Sequence, residues 1–170
     1  MKLLVIRHAV AMEPEEFART GQSDDLRPLT VEGISEMEQV AAGLRREVKT
    51  LDVLAASPLE RARQTAVIVA TAYEIGPTEV TDSLVPGASL ESFGEWCDSL
   101  GNKKTVAIVG HEPHLSRLVT WLMTGKSESR IRLRKGGACL LEFEFGVRRD
   151  SGTLRWLLTP RQLSVGGSST

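Results

Sequence analysis

Cysteine is scarce in this chain: 170 residues hold two, Cys97 and Cys139. They stand far apart and form no C-x-x-C, so two buried free thiols are expected, as in a reducing cytoplasm. An excess of charge of either sign is also missing. Lys and Arg number 21 against 22 Asp and Glu, a formal net charge of -1, and nothing global points to nucleic acid or a membrane surface. No apolar stretch approaches the roughly 20 residues of a membrane span. Met1-Lys2-Leu3-Leu4 mimics the start of a signal peptide, but Arg7 and His8 cut its apolar run far short of a usable core. There is no internal repeat and no interdomain linker. What is present is ordinary: 41% hydrophobic and 25% charged residues, enough chain for one globular domain with a full core. We expect that domain over 1–163, followed by a polar tail over 164–170 that adds nothing to the core.

Apolar runs alternate with helical patterns along the chain, which predicts a mostly parallel sheet flanked by helices. Leu3-Leu4-Val5-Ile6 reads as a buried strand. Thr30 caps a helix whose stripe runs through Ile34, Met37, Val40, Ala41 and Leu44. Leu51 to Ala56 is a second strand. Ser57-Pro58 then opens a helix, with Ser57 as cap and Pro58 in the first turn. Leu90 to Leu100 is helical, Thr105 to Val109 is a strand, and Pro113 to Met123 is a helix. Ala138 to Phe145 and Leu154 to Leu158 form a closing hairpin at one edge. Trp96, Trp121 and Trp156 pack in the core or at its margin.

Three segments share one design, in which a strand ends in polar residues. Val5-Ile6 runs into Arg7-His8-Ala9. Ala55-Ala56 runs into Ser57 and, on the following helix, Arg61. Ile108-Val109 runs into Gly110-His111. Parallel strands bring their carboxyl ends to one edge of the sheet, where ligands bind. Arg7, His8, Arg61 and His111 are therefore expected to converge near helix N-termini, which favour anions. Two guanidiniums offer planar forks for phosphate, and an imidazole beside them can serve as nucleophile, base or anion ligand. Such a pocket neutralises phosphate without a metal. His111-Glu112-Pro113-His114 imitates a zinc motif, but its histidines stand at i and i+3 with a proline between, not at i and i+4 on a helix. No metal or cofactor is expected, and His114 is placed on a helix face at the pocket rim.

These motifs resemble the histidine phosphatase, or phosphoglycerate mutase-like, superfamily. Its R-H-G corresponds to Arg7-His8-Ala9, its S-x-x-x-R-A-x-x-T-A to Ser57 through Ala66, and its second G-H to Gly110-His111. Asp25 through Gly33 is similar to the R-P-L-T-x-x-G segment of the SixA-type phosphohistidine phosphatases, whose compact size the chain shares. The resemblance implies a three-layer α/β/α fold with an antiparallel edge, and phosphoric monoester hydrolase or phosphohistidine phosphatase activity. It implies that His8 attacks phosphorus while Arg7, Arg61 and His111 hold the phosphoryl oxygens. His111 would be protonated beside the dianion. Arg27 could reach the pocket from its loop as a further substrate ligand.

Ala9 stands where the family usually has glycine. The segment Ser83 to Ser89 offers no carboxylic acid to protonate a leaving group. A phosphohistidine substrate needs none, because protonated imidazole leaves readily, whereas an alkoxide needs its proton supplied. The expected partner is thus a phosphorylated protein in a signalling phosphorelay. Two alternatives stand beside it. One is a small-metabolite phosphomonoesterase, with Glu91, Glu112 or Asp25 as acid. The other is a phosphate- or protein-binding module without catalysis, against which the intact residue set argues. Asp24 and Asp25 read as turn residues, and Arg63 and Gln64 as surface. The basic cluster Arg130, Arg132, Arg134 and Lys135 reads as a solvated edge, with a docking surface for an acidic partner as the alternative.

Overall fold

The computed structural model describes residues 1–76 and 78–165. Six strands form one sheet in the order β3-β2-β4-β1-β5-β6. They are β1 (Lys2–Arg7), β2 (Val53–Ala56), β3 (Glu79–Val80), β4 (Thr105–Gly110), β5 (Ala138–Glu142) and β6 (Thr153–Leu158). β4 lies parallel to β1 and β2, and β2 parallel to β3. β5 runs antiparallel to both β1 and β6. The sheet is thus mostly parallel with an antiparallel edge.

The period of two along β1 divides the molecule. Leu4 and Ile6 point into one core with Met37, Val40 and Val69, while Leu3 and Val5 point into another with Phe93, Leu118 and Leu122. The first core is covered by α2 (Val31–Glu47), α3 (Glu60–Tyr73) and α6 (Pro160–Val165), the second by α4 (Leu90–Ser99) and α5 (His114–Thr124). A short helix α1 (Pro14–Ala18) lies in the β1–α2 connection. The result is a three-layer α/β/α fold. Cys97 and Cys139 are both free and buried. Among the described residues no helix is long and apolar enough to cross a membrane.

Thr30 caps α2 as expected, its Oγ1 accepting from the Gly33 N–H at 2.9 Å. Gly33 itself is required by close packing: a Cβ there would lie 2.1 Å from the Val10 carbonyl oxygen. The Thr30-to-Gly33 spacing therefore docks α2 on the chain that leaves the end of β1. Gly43 does the same at the other end of α2, where a Cβ would lie 2.1 Å from the Leu163 carbonyl oxygen of α6. Helix α6 continues through Ser164 and Val165, and the remainder of the stretch 164–170 lies outside the described residues.

The start of α3 differs from expectation. Its N-cap is Leu59, and Ser57 and Pro58 precede the helix. Ser57 is fully buried, and its hydroxyl, besides accepting from the Leu59 N–H at 3.4 Å, is held by a histidine ring. A buried hydroxyl with such a partner is drawn into the site and away from the helix end.

Candidate active site

β1 delivers Arg7 and His8 into a turn that is pinned from both sides. The His8 N–H donates to the Gly110 carbonyl at the end of β4, and the Gly136 N–H donates to the Arg7 and His8 carbonyls. His8 is buried, and its Nδ1 lies 2.7 Å from the Ala9 carbonyl oxygen. A carbonyl can only accept, so Nδ1 carries the proton and Nε2 presents its lone pair. Ala9 is buried and does not adopt a positive φ, so the departure from glycine is accommodated without backbone strain.

The β2–α3 segment supplies Arg61 and the brace beneath it. Thr65 lies one turn beyond Arg61; its hydroxyl donates to the Arg61 carbonyl at 2.7 Å and accepts from the Ala9 N–H at 3.0 Å. The arginine-to-threonine spacing of the motif thereby ties α3 to the turn that carries His8. The Arg61 side chain is buried, with Nη1 donating to the Asp24 carbonyl at 3.0 Å and lying 3.2 Å from Asp24 Oδ2. Arg27 joins the same carboxylate through Nε at 2.6 Å and also donates to the Met12 carbonyl. Asp24, read from sequence as a turn residue, therefore holds two of the site's guanidiniums. Gln64, read as surface, accepts from the Leu29 N–H at 2.7 Å and fastens the same loop to α3. No sequence signal marks either link, since each joins positions more than thirty residues apart.

β4 delivers His111, whose ring centroid lies 5.0 Å from that of His8. Its Nε2 meets Ser57 Oγ at 2.9 Å. Glu112, one residue on, faces away from proton-donor duty. Oε1 accepts from the Leu133 N–H at 2.8 Å, and Oε2 accepts from the Ser116 hydroxyl at 2.6 Å and from the Ser116 N–H. The Leu133 carbonyl in turn accepts from Arg7 Nη1 at 2.9 Å. Glu112 is a clamp on the strap that orients Arg7. Glu91 is exposed in the first turn of α4. His114 is not at a rim: it is buried, and its Nε2 donates to the Ser83 carbonyl at 3.1 Å. Its ring faces the second core because it begins α5, whose inner face also carries Leu115 and Leu118.

The electrostatics follow from burial among cations. His8 is pushed down to about 4, first by burial and then by the guanidiniums of Arg61, Arg7 and Arg27, against the bond to Ala9. His111 is pushed down to about 3 by burial, with His8 and Arg61 adding to the effect. At neutral pH the charges of the chain itself leave both rings uncharged. Asp24 is held below the ordinary carboxylate range, chiefly by its hydrogen bond from Arg27, and is an anion rather than an acid. Arg7 Nε, Arg61 Nε and His111 Nδ1 are buried with no hydrogen-bond partner among the described residues. Those residues also include no cluster of three or more His, Cys, Asp or Glu able to hold a metal ion.

The structure thus brings His8 and His111 side by side, with Arg61 and Arg27 close enough to bias the ionisation of both and Arg7 that of His8. Known proteins resemble this chain in sequence and fold. The sequence profile of the histidine phosphatase superfamily (branch 1) matches residues 3–85. An uncharacterized protein of Picosynechococcus sp. (strain ATCC 27264 / PCC 7002 / PR-6) is 33% identical over 140 residues, covering 81% of this chain and 82% of its own. Phosphohistidine phosphatase SixA of Escherichia coli (strain K12) is 26% identical over 168 residues, 97% of this chain and 98% of that one. The solved structure of protein histidine phosphatase SixA complexed with tungstate superposes with a TM-score of 0.80 at 24% identity, covering 96% of this chain and 99% of that one. The fold also matches an alpha-ribazole phosphatase of Shigella flexneri, with a TM-score of 0.74 at 20% identity over 94% of this chain and 97% of that one. The chain belongs to the histidine phosphatase superfamily, among its SixA-type members.

Proposed function

We propose that this phosphatase acts through a phosphorylated His8 and that its substrate is phosphohistidine on a protein, as in a signalling phosphorelay. One observation carries the reading: the Ala9 carbonyl fixes the proton on His8 Nδ1, so Nε2 is a ready nucleophile among Arg7, Arg27 and Arg61. Nε2 donates its electron pair to phosphorus. The bond from phosphorus to the substrate's imidazole nitrogen breaks, and that nitrogen keeps the bonding pair, while the opposite nitrogen of the same ring carries the proton, so that a neutral imidazole departs. Water then attacks phosphorus on His8, releasing phosphate and restoring the ring. The arginines neutralise the charge that would repel a nucleophile and then stabilise the charge spread over the equatorial oxygens. The buried, unpartnered Arg7 Nε, Arg61 Nε and His111 Nδ1 support an oxyanion as occupant, since unpaired buried polar groups are costly and phosphoryl oxygens would satisfy donors among them. An arriving dianion favours protonation of His111, which the chain alone keeps neutral.

The carboxylates support this substrate class over phosphate esters. Glu112 has both oxygens engaged, and Asp24 is ion-paired. Neither is placed to protonate an alkoxide, whereas imidazole leaves without that help. The test is kcat/KM on a phosphorylated histidine protein beside phosphomonoesters of graded leaving-group basicity. Phosphohistidine and aryl phosphates should turn over, simple alkyl phosphates should be slow, and His8→Ala should abolish both turnover and alkali-stable labelling of the enzyme. A flat dependence on leaving group, with chemistry limiting, would move the small-metabolite reading ahead. Full activity of His8→Ala would sink the mechanism.

A further inference from the structure

Beside Arg7, on the side of α5, lies a cleft of about 470 Å³ whose lining includes Arg130, Arg132, Ser116 and Ser129. Its outer wall is the segment 129–134, which alternates in burial: Ser129 and Ile131 are half-buried and Leu133 is buried, while Arg130, Arg132 and Arg134 are exposed. The inward residues anchor it. Leu133 is held by Glu112 on one side and Arg7 on the other, and Ser129 Oγ accepts from the Thr120 hydroxyl at 2.7 Å. The side chains of the outward arginines have no ion-pair partner among the described residues. Arg132 stands near enough to Arg7 to disfavour its charge. The one carboxylate lining the cleft, Glu112, has both oxygens turned to Leu133 and Ser116, and its charge acts on Arg7. A row of like charges that no carboxylate among the described residues pairs with is a site for an anionic partner.

We propose that this cleft and its arginine row bind an acidic polypeptide segment next to the phosphoryl group, so that the enzyme reads the charge of its protein substrate. The inference rests on the reading given above that the substrate is a protein. The length of the row favours a polypeptide over the second anionic group of a small metabolite. At the rise of an extended chain, residues 130 to 134 span about 13 Å with a cation every other residue, a repeat that matches acidic side chains on a partner strand. The small, slightly negative net charge of the whole chain argues against a nucleic-acid surface.

The probes are fluorescein-labelled (Glu-Gly)₅ and (Gln-Gly)₅ peptides, read by anisotropy at low and high salt. The acidic peptide should bind and the neutral one should not, and salt should weaken binding. Arg130→Ala/Arg132→Ala should weaken binding about tenfold, which is about 1.4 kcal/mol for the two rim charges together. Arg155→Ala, which removes an exposed arginine from β6, should leave it unchanged. On a phosphohistidine protein the double variant should raise KM more than it lowers kcat. Equal loss with Arg155→Ala, no discrimination between the peptides, or tighter binding of a dT₁₀ oligonucleotide overturns the proposal. A native chain that binds the acidic peptide but leaves phosphohistidine protein intact keeps the cleft and overturns the substrate reading. One that turns over that protein, while the double variant changes neither binding nor KM, overturns the cleft alone.

Discussion

One carbonyl, that of Ala9, settles which nitrogen of His8 is free, and the surrounding cations settle when. Because His8 is pushed down to about 4, its nucleophilic form exists well below the pH at which a free imidazole, near 6.5, would lose it. The rate should therefore rise with pH through about 4 and then level off. The measurement is the pH profile of kcat/KM for p-nitrophenyl phosphate, corrected for ionisation of the substrate, since this ratio reports the free enzyme. An enzyme limb near 6.5 would mean that His8 is solvated or is not the nucleophile. At this scale the sequence was most informative about the groups that the proposed mechanism uses. Arg7, His8, Arg61 and His111 stand at strand ends and helix starts that could be read from local patterns. Asp24 and Gln64 could not be read in that way. A turn aspartate and a helix glutamine look the same whether or not an arginine or a backbone N–H from a distant segment reaches them.

At the scale of elements, Thr65 does the joining. Its hydroxyl serves the Arg61 carbonyl and the Ala9 N–H at once, so α3 and the end of β1 share a single buried group. Thr65→Val keeps the shape but leaves the Ala9 N–H buried and unpaired, a loss of about 1–3 kcal/mol. Urea unfolding should show this as a lower midpoint at unchanged m-value, with kcat/KM falling as the His8 turn loosens. A variant as stable and active as the native chain would show that the brace is dispensable. Element boundaries were legible where a periodic stripe or a capping hydroxyl marked them, as at Thr30. They were not legible where a tertiary partner overrode the local rule. Ser57 has the chemistry of a helix cap, but the ring of His111 holds it before the helix begins. His114 has the spacing of a rim residue, but the carbonyl of Ser83, in the short 3₁₀ turn Asp82–Leu84, draws it inward.

On the scale of the whole molecule, all three histidines of the chain, His8, His111 and His114, are buried with their pKa values lowered below 6.5. Between the native values and 6.5 the unfolded chain binds protons that the native chain does not. Stability therefore rises with pH across that window; it is complete above about 6.5 and is lost progressively as the pH falls toward about 4. Thermal melts in matched ionic strength should show Tm dropping steeply from pH 6.5 to 4.5, and a flat Tm there would contradict the burial of these rings. The three-layer architecture was legible from alternating apolar runs, because a sheet covered on both faces writes continuous hydrophobic strands into the sequence. The brevity of β3 was not, and it has a consequence for how copies of the protein meet. An outer strand of only two residues, Glu79 and Val80, gives a foreign strand almost no ladder to extend, so one border of the sheet is closed to growth. Strand-by-strand aggregation is thereby left to the border at β6, whose exposed Arg155 is already paired with Glu142 of β5.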